Sequence, residues 1–204
     1  SYGTMGSTHH SLEDIAIMKA LPNMVVISPS DPLEVEEAVF AAMKYKGPVY
    51  IRLTLTANSL DYNRGKFEIG KARILKKGDD AAIIATGDMV KTAMDAAEVL
   101  KKDNINCYVI NIHTIKPIDK ILIKKLSEKC KAIVSIEEHS TIGGLGSTVA
   151  SIISQYPKNK TRYKIMGFND VFCKEYSRDK LKILEEYGLS TRHLVKTMFS
   201  LYNS

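Results

Sequence analysis

The sequence predicts an α/β fold in which the strands of a mostly parallel sheet alternate with covering helices. Strand-like and helix-like segments alternate from one end of the 204 residues to the other. Several strand-like segments are short, continuous apolar runs, the mark of strands buried on both faces. The turns between them are short. Right-handed crossovers with short connections then make a doubly wound sheet the natural solution.

Each element has its own local justification. Residues 12–21 read as a helix with Leu12, Ile15 and Met18 on one face. Met24, Val25, Val26 and Ile27 form the first buried run. Asp31, Pro32 and Glu34 then open a helix: a capping acid, a proline at the first helical position, and a capping-box acid. Val35, Ala38, Val39 and Ala42 follow at helical spacing and are expected to lie on a sheet. Gly47 and Pro48 end that helix, and residues 49–53 form the next strand. Residues 54–70 lose periodicity and read as a linker. Beyond it, residues 81–85, 106–110, 132–136 and 163–167 read as strands. Helices are expected from Ala93, Ala96, Ala97 and Leu100, over 118–129, and from the glycine turn at 143–146 to Ser154. Two more close the chain. One ends at Gly188; the other starts at Ser190 and packs through Leu194, Thr197, Met198 and Leu201.

Composition sets limits on function. With 45% apolar and 25% charged residues, the chain has an ordinary globular profile. No apolar run approaches the roughly 18 residues of a membrane span, and the start at Ser1 has no signal-peptide pattern. A cytoplasmic location is expected. The three cysteines, Cys107, Cys130 and Cys173, lack metal-ligand spacing and read as free thiols. No metal ligand set is expected. The net charge of +6 is spread over helix faces without a polybasic run or interleaved aromatics, so no nucleic-acid partner is expected. A phosphorylated small molecule suits the same charge.

Three places carry residues suited to chemistry. Thr8, His9 and His10 precede a helix, and paired imidazoles exchange protons near neutral pH. Glu13 and Asp14 are near enough in sequence to orient a ring; the plainer reading is a polar surface loop. Arg52 sits late in an apolar strand, where an unpaired charge is costly, so it needs an anion: a phosphate, or a neighbouring acid in a salt bridge. Glu137, Glu138 and His139 end a strand before Gly143, Gly144, Leu145 and Gly146. That turn suits either an anion held on backbone amides or close packing of helix on strand. It does not match a dinucleotide fingerprint. In a doubly wound sheet, ligands bind at the carboxyl ends of strands, which points to the loops after Leu53, Thr86, Asn111 and Ile136.

Taken together, these motifs resemble a known family. Gly6, Ser7, Thr8, His9, His10, Ser11, Leu12, Glu13 and Asp14, then Pro22-Asn23-Met24 and Pro29-Ser30-Asp31, resemble the second half of the pyrimidine-binding domain of transketolases and 1-deoxyxylulose-5-phosphate synthases. The run from Gly47 to Leu53 matches the strand that ends that domain. Lys71-Ala72-Arg73, the stretch from Ile84 to Val90, the stretch from Asn111 to Pro117, and the stretch from Glu137 to Ser147 resemble the family's C-terminal domain in order. The resemblance implies half of a pyrimidine-binding domain at 1–53, a linker at 54–70 and a C-terminal α/β/α domain at 71–204.

It also implies a chemistry. A two-carbon ketol unit passes between sugar phosphates, with thiamine diphosphate and magnesium supplying the reactive centre in the complete enzyme. His9 falls on the family's catalytic histidine. Thr8, His9, His10 and Arg52 fall on substrate-binding positions, with Arg52 on the phosphate. The family's activating glutamate and its diphosphate site match nothing in these residues. The chain is therefore expected to need an N-terminal cofactor-binding domain or a companion subunit, to form homodimer contacts, and to be inactive and without cofactor alone. Two departures stand out: Met5 replaces a family acid that contacts a sugar hydroxyl, and Ser7 replaces a proline. The alternatives are the beta subunit of a 2-oxo-acid dehydrogenase, a non-catalytic dimerisation module, and a nucleotide-binding protein resting on fold analogy alone.

Overall fold

The computed structural model describes residues 5–54, 60, 62, 65–156, 160–177 and 179–204. In chain order the elements are α1 (Asp14–Ala20), β1 (Val25–Ile27), α2 (Pro32–Lys44), β2 (Val49–Ile51), β3 (Arg73–Lys76), β4 (Ala81–Ala85), α3 (Met89–Lys102), β5 (Cys107–Asn111), β6 (Thr114–Lys116), α4 (Lys120–Lys129), β7 (Ala132–Ser140), α5 (Leu145–Ile153), β8 (Arg162–Phe168), α6 (Lys180–Glu186) and α7 (Thr191–Asn203). A 3-10 turn, Ser7–His9, precedes α1.

The larger sheet has five strands in the order β3-β5-β4-β7-β8. β4, β5, β7 and β8 run parallel, and β3 pairs antiparallel with β5 at the edge. All five residues of β4 are buried. Strand alternation sends Ile83 to one face and Ile84 to the other. On the first face the core takes in α3, α6 and α7 through Ala93, Ala96, Leu100, Ile183, Leu194 and Met198. On the second it takes in α4 and α5 through Ile123, Leu126, Leu145 and Val149, with Ile15 of α1. The expected α/β/α layering is present. The alanines of α3 let that helix lie close to the sheet, and burying Leu100 there stabilises by about 1.5–3 kcal/mol.

The smaller sheet has the order β2-β1-β6. β1 is parallel to β2 and antiparallel to β6. Thus β6, which lies after β5 in the chain, completes the sheet begun by β1. The edge of β1 that the first 53 residues leave open on their own is paired.

Several expectations are corrected in detail. β3 and β6 were not foreseen; both are short and contain charged residues, and each is a strand because a partner holds it. β7 runs four residues past the expected end at Ile136, through Ser140. On α2 the buried residues are Glu34 and Ala38, whereas Val39, Phe40 and Met43 are exposed. The helix turns its Glu34 inward because polar partners wait there. Asp31 does cap α2, its Oδ1 accepting from Glu34 N at 2.9 Å, and Gly188, at φ 72°, does end α6. Phe67 and Ile69, within the expected linker, pack on Val25, Ile27 and Ala38. Leu60 N donates to Asp31 Oδ2 at 2.8 Å. Linker residues 55–59, 61, 63 and 64 lie outside the described residues, as do residues 1–4.

Candidate functional site

The carboxyl ends of β4 and β5, expected to face a ligand, face the first block of the chain instead. Thr86 Oγ1 donates to Ile112 O at 2.8 Å, Ser28 N donates to His113 O at 2.8 Å, and Gly87 N donates to Ser28 O at 3.2 Å. Gly87 has φ +56°, and a β-carbon there would stand 2.8 Å from Ser28 Oγ. Beside this contact lies a buried polar cluster. Glu34 accepts from Ser30 N at 2.7 Å, from Ser30 Oγ at 2.8 Å, and from Asn111 Nδ2 at 2.9 Å. Arg73 Nη1 meets Glu34 Oε1 at 2.8 Å, and the Arg73 fork also holds both oxygens of Glu37. His113 stacks on Phe67, and burial together with the Arg73 charge pushes its pKa down to about 3. It is a neutral packing residue. This crevice is filled by the protein's own chain, and its charges are matched internally.

The glycine turn also has an internal occupant. Glu137, fully buried, accepts from Leu145 N at 2.6 Å and Gly146 N at 2.7 Å. The anion held by the α5 N-terminus is therefore the protein's own carboxylate. Burial pushes the Glu137 pKa up to about 7, and the two amides and Lys19 pull against that rise. A β-carbon on Gly144 would fall 2.1 Å from Glu137 Oε2, so only glycine fits. Lys19, at the end of α1, donates to Gly143 O at 2.7 Å and Gly144 O at 3.0 Å, which docks α1 on the turn. His139 Nε2 accepts from Ala16 N at 3.3 Å, so the ring proton is on Nδ1, which donates to Ser140 O at 2.7 Å. Burial lowers the His139 pKa. These side chains are structural, in line with the second of the two readings of this turn.

Glu138 points to the opposite face of β7. It pairs with Lys180 of α6 at 2.6 Å, and Lys180 also binds Asp88. Burial alone would raise the Glu138 pKa, but neighbouring positive charge, Lys180 foremost, outweighs it and holds the value at about 2.

The remaining candidates meet at the start of the chain. Arg52 is 8% exposed. Its Nε lies 3.1 Å from Asp14 Oδ2, Nη1 donates to Glu138 O at 2.9 Å, and Nη2 donates to Ser11 O at 3.3 Å. Tyr50 Oη donates to the same Asp14 oxygen at 2.8 Å. Burial, then Asp14, raise the Tyr50 pKa to about 12. Arg52 thus has its anion in Asp14 and sits beneath the segment that follows His10. Asp14 serves Arg52 and Tyr50, and Glu13 Oε2 accepts from Leu12 N at 3.1 Å. Asp14 and Tyr50 were missed as partners of Arg52. One signal was available: period-two alternation puts Tyr50 and Arg52 on one side of the strand, where two polar tips call for a shared acceptor.

Above them, Thr8 and His9 are exposed and His10 is half-buried. Thr8 Oγ1 lies 2.9 Å from His9 Nδ1 and 3.4 Å from Met5 O. With the hydroxyl proton directed to Met5 O, Nδ1–H of His9 donates to Thr8, and Nε2 carries the lone pair. His10 Nε2 lies 3.1 Å from Glu175 O; a carbonyl only accepts, so Nε2 carries that proton. The structure therefore brings Thr8, His9 and His10 onto one surface turn, with Arg52 bracing its base. Among the described residues, no three His, Cys, Asp or Glu side chains are grouped to hold a metal ion, and no helix is long and apolar enough to cross a membrane.

Known proteins carry the same pattern. Residues 70–194 match the family model for the transketolase C-terminal domain, and residues 1–57 that for the transketolase pyrimidine-binding domain. A Methanocaldococcus jannaschii protein provisionally named a transketolase C-terminal section is 42% identical over 197 residues, which cover 95% of this chain and 60% of that protein. The 6-deoxy-6-sulfo-D-fructose transketolase subunit of Clostridium sp. (strain MSTE9) is 38% identical, covering 94% of this chain and 58% of its own. A solved structure described as a split gene transketolase, inactive beta4 tetramer, superposes with a TM-score of 0.86 at 35% identity over 97% of this chain and 63% of that one. The chain spans about 60% of the length of these relatives.

Proposed function

The chain belongs to the transketolase family, and from that premise we propose that it is the C-terminal section of an enzyme that transfers a two-carbon ketol unit between sugar phosphates. The observation that carries this reading is the turn bearing Thr8, His9 and His10, presented at the surface and braced by buried Arg52. The division of labour follows 1–53 as half of the pyrimidine-binding domain, 54–70 as linker, and 71–204 as the C-terminal domain. In the complete enzyme, thiamine diphosphate with magnesium would supply the carbanion chemistry. The described residues offer no grouped ligands for the metal. We therefore assign the diphosphate end to sequence that joins this chain, on the same polypeptide or on a companion subunit.

What this chain supplies is positioning and proton handling. His9, with its Nε2 lone pair turned from Thr8, takes or returns a proton at a substrate hydroxyl. Thr8 fixes that tautomer. His10, its Nε2–H held by Glu175 O, carries its lone pair on Nδ1. Arg52, already paired with Asp14, holds the base of the turn from beneath through Ser11 O. Met5 in place of the family acid, with 48% of its surface exposed, leaves that wall of the site apolar. The sulfonated sugar in the Clostridium relative's name is consistent with an anionic ketose as the substrate class. The solved relative described as an inactive tetramer supports the view that this section alone does not turn over.

Calorimetric titration of thiamine diphosphate with magnesium, into the purified chain and into the chain with its completing sequence, tests the proposal. Binding and ketol transfer are expected only in the completed system. Ketol transfer by the chain alone would overturn the half-site reading. Binding by neither would remove the roles of His9 and Arg52.

A further inference from the structure

The segment 170–177, between β8 and α6, approaches the histidine turn from the C-terminal block. We propose that this segment is a wall of the substrate site, with Tyr176 as a specificity-determining residue and the Glu175 carbonyl as the group that positions His10. The inference rests on the site assignment made above and extends it to residues that neither the motifs nor the family boundaries single out.

The first observation is direct contact. His10 Nε2–H donates to Glu175 O at 3.1 Å, which links residues 165 positions apart. The second is proximity to the turn itself. The Tyr176 ring edge, at Cδ2, lies 3.8 Å from where a β-carbon on Gly6 would stand, and Gly6 has φ +68°. A side chain at Gly6 would therefore be in van der Waals contact with the ring. The third is anchorage. Cys173 is buried in the larger core at 3% exposure, and Lys174 N donates to Tyr187 Oη at 3.1 Å. Beyond the segment, Lys180 opens α6 in its ion pair with Glu138. The backbone carbonyl of Glu138 is in turn the acceptor for Arg52. Pinned before and after, the segment still leaves Tyr176 66% exposed. A large aromatic held at the surface by a fixed frame, next to the residue whose carbonyl holds His10, has the composition of a recognition wall: an apolar body with a hydroxyl at its tip.

The chemistry that would meet this wall is a sugar chain lying across the turn, its carbon-bound hydrogens on the ring face and a hydroxyl near the phenol. Fixing His10 through Nε2 also commits the neutral ring to the tautomer with its lone pair on Nδ1. A substrate approaching His10 at Nδ1 is then read by its hydroxyl hydrogens. Met5, where relatives of this motif carry an acid, opens one side of the turn to apolar contact. Tyr176 closes the other side with a surface that tolerates a sugar lacking a hydroxyl.

The test uses the complete enzyme, this chain with its completing sequence, and compares ketol donors and acceptors that differ in chain length and hydroxyl pattern. Tyr176→Ala is expected to raise KM for the preferred sugar phosphate about tenfold while kcat stays within about threefold, and to flatten the preference among sugars. Tyr176→Phe is expected to keep the KM and lose only the part of the preference that depends on the hydroxyl. Phe199→Ala, on α7 outside the segment and 47% exposed, is the control and is expected to leave both parameters as they are. An active enzyme in which Tyr176→Ala leaves the sugar preference unchanged would overturn this inference and leave the proposed function standing. So would an equal loss in Phe199→Ala. A wild-type complete enzyme with no ketol transfer would instead sink the proposed function, and this inference with it.

Discussion

Glu137 and Glu138 are adjacent, both buried, and on opposite faces of β7, yet their protons behave in opposite ways. Glu137 faces the α5 amides, and its pKa rises to about 7; Glu138 faces Lys180, and its pKa falls to about 2. Two amide donors and Lys19 do not offset full burial at Glu137, whereas the positive charge gathered at Glu138, led by Lys180, does. The same contrast holds for the regions they serve. The Glu137 side is a dry joint between α1, α5 and β7, held by short hydrogen bonds. The Glu138 side is an ionic chain that leads through Lys180 and Asp88 toward the solvent-exposed segment before α6.

The contrast can be broken first at Glu138. Glu138→Gln leaves Lys180 with Asp88 as its remaining acid and is expected to cost about 3 kcal/mol at pH 7, read from the urea midpoint. Its pH signature is specific. The folded pKa lies below the unfolded value, so the stabilisation is complete above the ordinary carboxylate value of 4.5 and is lost as pH falls from there toward about 2. The variant should lose that acid-side slope; a slope equal to wild type would show that Lys180 does not hold Glu138.

Gly144→Ala comes next. A β-carbon 2.1 Å from Glu137 Oε2 forces the carboxylate off its amides, with an expected loss of about 2 kcal/mol in thermal or chemical melts. An unchanged melting point would mean that the turn relaxes freely.

Glu137→Gln is milder, about 1 kcal/mol at pH 7, because the amide oxygen still accepts one hydrogen bond. Here the sign reverses. The folded pKa lies above the unfolded value, so the native state holds its proton more tightly. Stability from this group is full below the ordinary carboxylate value of 4.5 and declines as pH rises toward about 7. The glutamine variant should be flat across that window in a stability–pH series.

His9→Ala has the smallest expected effect on stability, within about 0.5 kcal/mol, because the ring is exposed. In the completed enzyme it should instead lower kcat by about 100-fold or more, in the range of general acid–base catalysis. A large loss of stability with unchanged kcat would assign His9 to structure.

Much of this was readable in advance, for physical reasons that differ by element. β4 was legible to the residue because an uninterrupted run, Ala81 to Ala85, fits only a strand covered on both faces. Arg52 was legible as a charge in need of an anion, and alternation with Tyr50 hinted that the anion was shared. β3 and β6 were not legible. Arg73 and Lys116 look like loop residues until Glu34 accepts the one and β1 pairs with the other, and neither partner is near in sequence. The inward turn of Glu34 on α2 was hidden for the same reason. Burial of a carboxylate is decided by what lies across the seam, which the helical pattern of Val35, Ala38 and Val39 does not record. The histidine turn was found as a motif, but its approach to Glu175 and Tyr176 was not, because residues 170–177 carry no periodicity.

The pairing of Val26 with Lys116 bears on how the molecule is made. A chain emerging from the ribosome presents β1 and β2 early, but β6 follows only about ninety residues later, several seconds at ordinary elongation rates of about 5–20 residues per second. Until then the smaller sheet is a two-strand ribbon with a bare inner edge. When β6 arrives, only β3, β4, α3 and β5 of the larger sheet's block have been made, and the histidine turn gains its full footing later still, once Glu138 and Glu175 follow.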